Sequence, residues 1–549
     1  MYIDESESYQ NGRVYTRALL RTSYRKDGKV KHDTIGNLSH CKREEIEAIR
    51  LALKHKGNLT ELASVSDDIT THEGSSIGGV WVVYETAKRL GIEEALGKTR
   101  EGKLALWQII ARVSDQGSRL SAVRLAETHS ACDVLGIKKT FNEDDLYSNL
   151  TWLSEQQDGI EQRLFNNRRE NKVNTIFLYD VTSSYLEGEQ NAFAAFGYSR
   201  DKKRGKKQIL MGLLCDEKGD PVSIEVFKGN VRDHCTFLSQ IKKAEERFGC
   251  EKVAFVGDRG MIKSTQIKGL DSEKISYITA ISKSEIESRL KNGMFQMELF
   301  DQDIAEIEAE GVRYVFRRNP DRAKEIAANR QSKKEYVMKL VAKKNQYLEE
   351  HPRAKISIAK REIKERIQKL KIDNWLKLLT QGRNFQVKTD KSALDKESKL
   401  DGCYVLKTDL SKQEASKDVV HERYKDLAFV EWAFRTMKTT HLEVRPINVR
   451  TEKHTRAHAF VVMLSYMITR ALYKYWVKLD ITVKEGLSEL DNLCVIDIIV
   501  KNRVSFHSIP CPRKRSMELL KSAGISLPLA ISTQNVHVAT RKKLVSRRK

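Results

Sequence analysis

The spacing of apolar residues changes several times along the chain, and each change marks an element. Val14 to Tyr24 alternates like a strand, Asp27-Gly28 is a tight-turn dipeptide, and a second strand follows from Val30. Arg43 to His55 carries helical spacing, and the polar stretch Asp67 to Ser76 is expected to be a linker. From Val80 to about Arg169 the period stays helical. Trp81, Tyr84 and Leu90 share one face of a first helix, and Leu104, Trp107, Ile110 and Val113 recur at helical spacing in a second.

The pattern turns strand-like at residue 173. Thr175–Tyr179, Ile209–Cys215 and Val222–Phe227 are β-prone runs, the last two separated by the turn segment Asp216–Pro221. Phe237, Ile241, Ala244 and Phe248 mark an amphipathic helix, and Val253–Val256 and Ile275–Ile281 predict two further strands. The order β, β-hairpin, α, β, β predicts a mixed α/β arrangement.

Between 285 and 400 the period is mixed. Phe295–Phe300, Val312–Phe316 and Phe385–Val387 alternate like strands, while Ile363, Ile367 and Leu370 keep helical spacing in a Lys-, Arg- and Glu-rich stretch. This reads as a β-rich plus helical insertion. Strand character returns at Tyr404–Leu406, and helical character runs from near Glu422 to about Trp476. The most apolar run, Ala459–Ile468, is too short to cross a bilayer and is followed by Arg470 and Lys474, so it is expected to be a core helix. The expected organisation is a β-hairpin plus helix over 1–66, a mainly helical region over 77–172, a core in two parts (173–284 and 401–480) around an insertion (285–400), and a basic region over 481–549.

Charge adds a partner class. The 549 residues carry 98 Lys+Arg against 75 Asp+Glu, a net charge of +23. An excess of this size favours a polyanion, because neutralised phosphates release counterions. Charge alone leaves open a basic protein that touches nucleic acid only non-specifically. The short helices of 77–172 suit a DNA-binding module and a plain helical bundle equally. The tail Arg541–Lys549 reads as a solvated terminus that adds sequence-independent DNA affinity. The eight cysteines form no Cys-x-x-Cys pair, which argues against a zinc framework. With no secretory signal pattern, a reducing cytoplasm and no membrane are expected.

Three acids stand where chemistry could use them. Asp180 follows an apolar strand in Leu178-Tyr-Asp-Val-Thr182. Asp258 follows the next strand in Gly257-Asp-Arg-Gly260. Glu431 lies in a helical stretch in which Tyr424, Glu431, Arg435 and Lys438 fall near one face. Alone, Asp180 reads equally as a strand-end aspartate, Asp258 as a helix N-cap, and Glu431 as half of a solvated pair with Arg435. A buried acid is costly unless it is paired or bound to metal, and three acids from distant segments can together supply hard oxygen ligands.

Together and in order, these motifs resemble the DDE transposases of bacterial insertion sequences, in the branch with a Y-x2-R-x3-E-x6-K signature. Tyr424, Glu431 and Lys438 match that spacing, and Leu427 stands at its Arg position. The resemblance covers about residues 173–480. It implies an α/β, RNase H-like catalytic core and the triad Asp180, Asp258 and Glu431 holding two Mg²⁺, with Mn²⁺ as a substitute. It further implies DNA contacts from Tyr424, Arg435, Lys438 and Arg259. The expected activity is metal-dependent cleavage of double-stranded DNA at terminal inverted repeats and transfer of 3′-OH ends into target DNA, by a homodimer on DNA. A nuclease or resolvase without strand transfer and a non-catalytic DNA-binding derivative are the alternatives. Some family members stack a flipped base on a Trp of the insertion; Trp375 is the candidate, though its helical context favours a core role. His454 and His458, four apart on a helix, are expected to be structural. The basic loop Gly197–Gly205 reads as a DNA-contacting or a solvated loop.

Overall fold

The computed structural model describes all residues except 11–12, 55, 57–68, 169–173, 189, 201–202, 204, 249, 251, 259–261, 263–274, 440–441, 445–446, 501–503 and 541–549. The chain opens with an antiparallel sheet of β1 (Tyr2–Gln10), β2 (Arg13–Lys26) and β3 (Lys29–Asn37). The Asp27-Gly28 turn forms as expected, with both residues at positive φ (53° and 75°) as a two-residue hairpin requires. The first strand, β1, was not expected. Its sequence, Tyr-Ile-Asp-Glu-Ser-Glu-Ser-Tyr-Gln, has too little apolar alternation to announce itself.

The polar segment expected as a linker contains β4 (Ile69–Ser76). Helices follow at Gly78–Arg89, Arg100–Ser114 and Arg119–Thr128, then at Glu143–Arg168. Thr99 and Ser118 cap two of them by accepting from the backbone N–H groups of Gly102 and Ser121.

The main sheet then begins: β5 (Asn174–Tyr185), β6 (Gln208–Asp216), β7 (Pro221–Lys228), β8 (Lys252–Gly257), β9 (Ile275–Ala280), β10 (Ala305–Ala309) and β11 (Val312–Arg318). After a separate hairpin of β12 (Leu376–Gln381) and β13 (Asn384–Thr389), β14 (Cys403–Thr408) returns to the sheet. The order is β10-β11-β14-β9-β8-β5-β6-β7, with β5-β8 and β8-β9 parallel and the other neighbours antiparallel. Helices Lys417–Lys425, Leu427–Lys438 and Glu452–Trp476 follow. The chain closes with a helix (Val483–Asp491), β15 (Cys494–Val500), β16 (Val504–Ser508) and a last helix (Lys514–Ala523). β15 pairs with both β16 and β4. That pairing explains the missed strand β4: its partner lies more than 400 residues away in sequence.

Two compact units result: residues 1–147 with 468–549, and residues 148–467. In the second, alternation along β5 sorts the side chains. Phe177, Tyr179 and Val181 enter a core with Leu210, Phe237, Phe248 and Phe255, built on the Asp233–Lys242 helix. Asp180 and Thr182 therefore point to the opposite face, which the Leu427–Lys438 helix covers.

The segment expected as an insertion divides in two. Part of it, β10 and β11, extends the main sheet through β14. The rest has its own core: Val337, Ile363, Trp375 and Phe385 are buried where the helices Pro320–Glu350 and Ile356–Lys369 meet the β12–β13 hairpin. Phe295–Phe300, expected as a strand, ends instead in a 3₁₀ turn (Met297–Phe300) that sets both Phe rings edge-on against Phe316. Ala459–Met467 is nearly all buried, as expected for a core helix, and no described helix is long and apolar enough to cross a membrane.

Candidate active site

Asp180 lies within β5, not after it: the strand continues five residues further, to Tyr185. Its antiparallel partner is Leu213 of β6. On the other side β8 ends level with Tyr179, paired at Gly257. Asp258 is the next residue, so it leaves β8 beside Asp180 on the adjacent parallel strand, about 5 Å away at the backbone. Leu178, Tyr179 and Val181 are buried around Asp180. Burial pushes its carboxyl up to about 7. The Asp258 and Glu431 carboxylates push the same way, while the Val181 N–H and the Arg200 guanidinium oppose the shift.

Glu431 arrives from the Leu427–Lys438 helix. Leu427, Val430, Phe434 and Met437 bury one stripe of that helix, and Glu431 is on the exposed side. The helix does not run on from Tyr424, as the spacing predicted. Asp426 breaks it, ending one helix and starting the next. Tyr424 thus belongs to the preceding helix, and its hydroxyl donates to Asp258 Oδ1 at 3.1 Å. Lys438 donates to Thr182 Oγ1 at 2.6 Å, two residues beyond Asp180 on the same face of β5.

The three carboxylates line one cavity of about 1050 Å³ with Tyr424 and Leu427. Its far side is helical. Arg322, Ile326, Asn329, Arg330 and Lys333 recur along one face of Pro320–Glu350, and Lys283 and Lys425 add further cations. Asn319 starts that helix by accepting from the N–H groups of Asp321 and Arg322. Arg330 forms a two-armed ion pair with Asp401, both side chains largely buried, which pins the helix in place.

A hard divalent cation suits this donor set, since all three groups are carboxylates and their mutual repulsion is what a cation would relieve. Among the described residues, no three His, Cys, Asp or Glu side chains converge closely enough to hold one ion as they stand. The acids share a cavity without closing on a common point.

Comparison with known proteins gives the family. A family model described as the transposase DDE domain matches residues 171–468, more than half of the chain. The chain belongs to the DDE transposases. A second model, the N-terminal domain of IS1634 family transposases, matches residues 3–64. The transposase matches no curated protein. Among solved structures, a piggyBac transposase in a synaptic complex with hairpin DNA aligns at 9% identity, over 76% of this chain and 69% of that one, with a TM-score of 0.34. That likeness is too distant to bear on the site.

The other residues singled out by sequence fall variously in this transposase. Arg435 is exposed and is not among the residues lining the cavity. Arg259 and the tail 541–549 lie outside the described residues. Trp375 is 1% exposed in a core of its own, so it offers no face to a base. His454 Nε2 sits 3.2 Å from Thr151 Oγ1, and His458 is buried. Sequence reasoning did not single out Arg200, whose charge bears on Asp180 and whose backbone N–H donates to Ser183 Oγ. The only signal for it was its place in the basic loop after the first Asp.

Proposed function

We propose that the DDE domain is an RNase H-like core in which Asp180, Asp258 and Glu431 hold two Mg²⁺ ions, for which Mn²⁺ can substitute. The strand order β7-β6-β5-β8-β9, antiparallel in its first three members and parallel in its last, supports the fold assignment. The observation that carries the functional reading is that three acids, from a mid-strand, a strand end and a helix, line one cavity within the matched domain. When bound, the metal pair supplies an activated oxygen nucleophile and charge neutralisation at phosphorus.

The chain's own residues do the rest. Tyr424 holds the Asp258 carboxylate by its hydrogen bond. Lys438, tied to Thr182, keeps a positive charge beside the Asp180 strand, where a DNA phosphate can meet it. Lys283, Arg322, Lys333 and Lys425 line the same cavity and favour a polyanion there. Arg435 and Arg259 are proposed as further backbone contacts. The enzyme would act as a homodimer on double-stranded DNA, cut at terminal inverted repeats and join the 3′-OH ends to target DNA.

The test is cleavage and strand transfer with Mg²⁺ on DNA carrying the element ends. Asp180→Ala, Asp258→Ala and Glu431→Ala should each abolish both reactions while the protein stays folded by circular dichroism. Wild-type activity in any of the three refutes its assignment as a ligand. Cleavage without joining would identify a nuclease instead.

A further inference from the structure

The helix Lys417–Lys425 has only nine residues, and the break at Asp426 separates it from the helix that carries Glu431. A helix this short has little stability of its own, so its seat on the sheet must come from its contacts. It packs against β8, β9, β11 and β14. Val420 is fully buried there, and His421 is 3% exposed. The Tyr404 hydroxyl, on β14, lies 2.5 Å from His421 Nε2. Arg317, directly across from Tyr404 on β11, brings Nη1 within 3.1 Å of both ring nitrogens. Burial lowers the pKa of His421, and Arg317 and Lys425 lower it further, against Glu422 and Asp303. The imidazole is therefore neutral, and a single hydrogen bond joins its Nε2 to the Tyr404 oxygen.

Three residues on, Tyr424 lies near the same face of this helix, about 4.5 Å further along it. Its hydroxyl donates to Asp258 Oδ1 at 3.1 Å. Asp258 is exposed, just past the end of β8, whereas Asp180 is fixed inside β5. The exposed carboxylate therefore takes its direction from the groups that reach it. We propose that His421 is a positioning residue for Asp258, acting through Tyr424. Its bond to Tyr404 fixes the rotation of the helix on the sheet, which Val420, an apolar contact without direction, does not. A rotation of about 20° carries a side-chain tip that is about 5–6 Å from the axis through about 2 Å, enough to break the Tyr424 bond. The inference rests on Asp258 being a metal ligand.

The test is a double-mutant cycle on the full-length protein with two readouts. One is single-turnover cleavage of saturating DNA that carries the element ends; the other is Mn²⁺ binding to the protein alone, by electron paramagnetic resonance. His421→Ala should slow cleavage about three- to tenfold and weaken Mn²⁺ binding by a similar factor, with the DNA Kd unchanged. In a Tyr424→Phe background it should add less than about twofold to either loss, because the bond it positions is already gone. His421→Gln, whose amide can still bond Tyr404, should recover most of both readouts, and Tyr404→Phe should reproduce His421→Ala. The proposal is overturned if His421→Ala costs the same factor with and without the Tyr424 hydroxyl, as a merely structural role requires, or if Tyr404→Phe matches the wild type. Should His421→Ala fail to fold by circular dichroism, Tyr404→Phe takes its place in the cycle. An Asp258→Ala protein that still cleaves removes the metal-ligand reading and this inference with it. An inactive Asp258→Ala beside an additive cycle overturns this inference alone.

Discussion

Asp180 reaches the cavity from a strand buried among Leu178, Tyr179 and Val181, whereas Glu431 and Tyr424 reach it from the exposed sides of two helices. The sheet wall is the more buried; the helical wall is more exposed and is broken at Asp426. Burial raises the Asp180 carboxyl to about 7, and the Asp258 and Glu431 carboxylates add to the shift. Two hydrogen bonds, Tyr424 to Asp258 and Lys438 to Thr182, tie the helical side to the sheet. Strands β5 and β8 set the two aspartates side by side, and the two helices bring Tyr424 and Glu431 to the same cavity.

The largest effects should come from exchanging side-chain lengths across the two walls. Asp180→Ala and Glu431→Ala should both lose about three orders of magnitude or more in single-turnover cleavage, beyond the ~10–100-fold typical of an outer-shell change. Glu431→Asp should retain measurable activity because its helix face is open, while Asp180→Glu, confined within β5, should not. Equal tolerance at the two positions would erase the distinction.

Next is the pin of the helical wall. Arg330→Ala leaves Asp401 buried and unpaired and should cost about 3 kcal/mol in denaturant unfolding. The paired change Arg330→Met/Asp401→Leu should recover most of that. Little loss in the single variant would show that other contacts hold this helix.

A smaller effect concerns pH. The carboxyl of Asp180 is raised above its unfolded value, so the folded form binds the extra proton between about pH 4 and 7. Its contribution to stability is fully present below about 4 and is lost as pH rises through about 7. Asp180→Asn should therefore stabilise the metal-free protein by about 2 kcal/mol at pH 8, discounted for the solvent at the cavity rim, and by almost nothing at pH 4. Thermal melts at the two pH values decide it. Mg²⁺ should raise the wild-type melting temperature more at pH 8 than at pH 6.

The smallest expected change is Tyr424→Phe. It removes one hydrogen bond to Asp258 and should slow cleavage about three- to tenfold, in line with about 1 kcal/mol. An unchanged rate would mean that this bond does not position Asp258.

Legibility followed the same division. The strands of the sheet wall were readable because both faces are buried and their apolar runs are nearly unbroken: β6 is buried along all but its last residue. The acids were readable only as an ordered set, since each alone sits in a context that structural residues share. What could not be read depends on distant partners. β4 is polar and becomes a strand only by pairing with β15. β10, Ala-Glu-Ile-Glu-Ala, is a strand because β11 templates it. The break at Asp426 falls inside a run whose periodicity never falters. Arg200 lies 20 residues from Asp180 in sequence and reaches it through a loop bonded to Ser183.

The pairing of β4 with β15 bears on how the molecule is made. Residues 148–467 are one uninterrupted stretch, and their contacts can form as soon as that stretch has left the ribosome. The other unit joins two segments far apart in sequence, because β4 waits for residues 494–500 before its edge is covered. A nascent chain that has not yet reached residue 494 therefore carries an uncovered β4 edge.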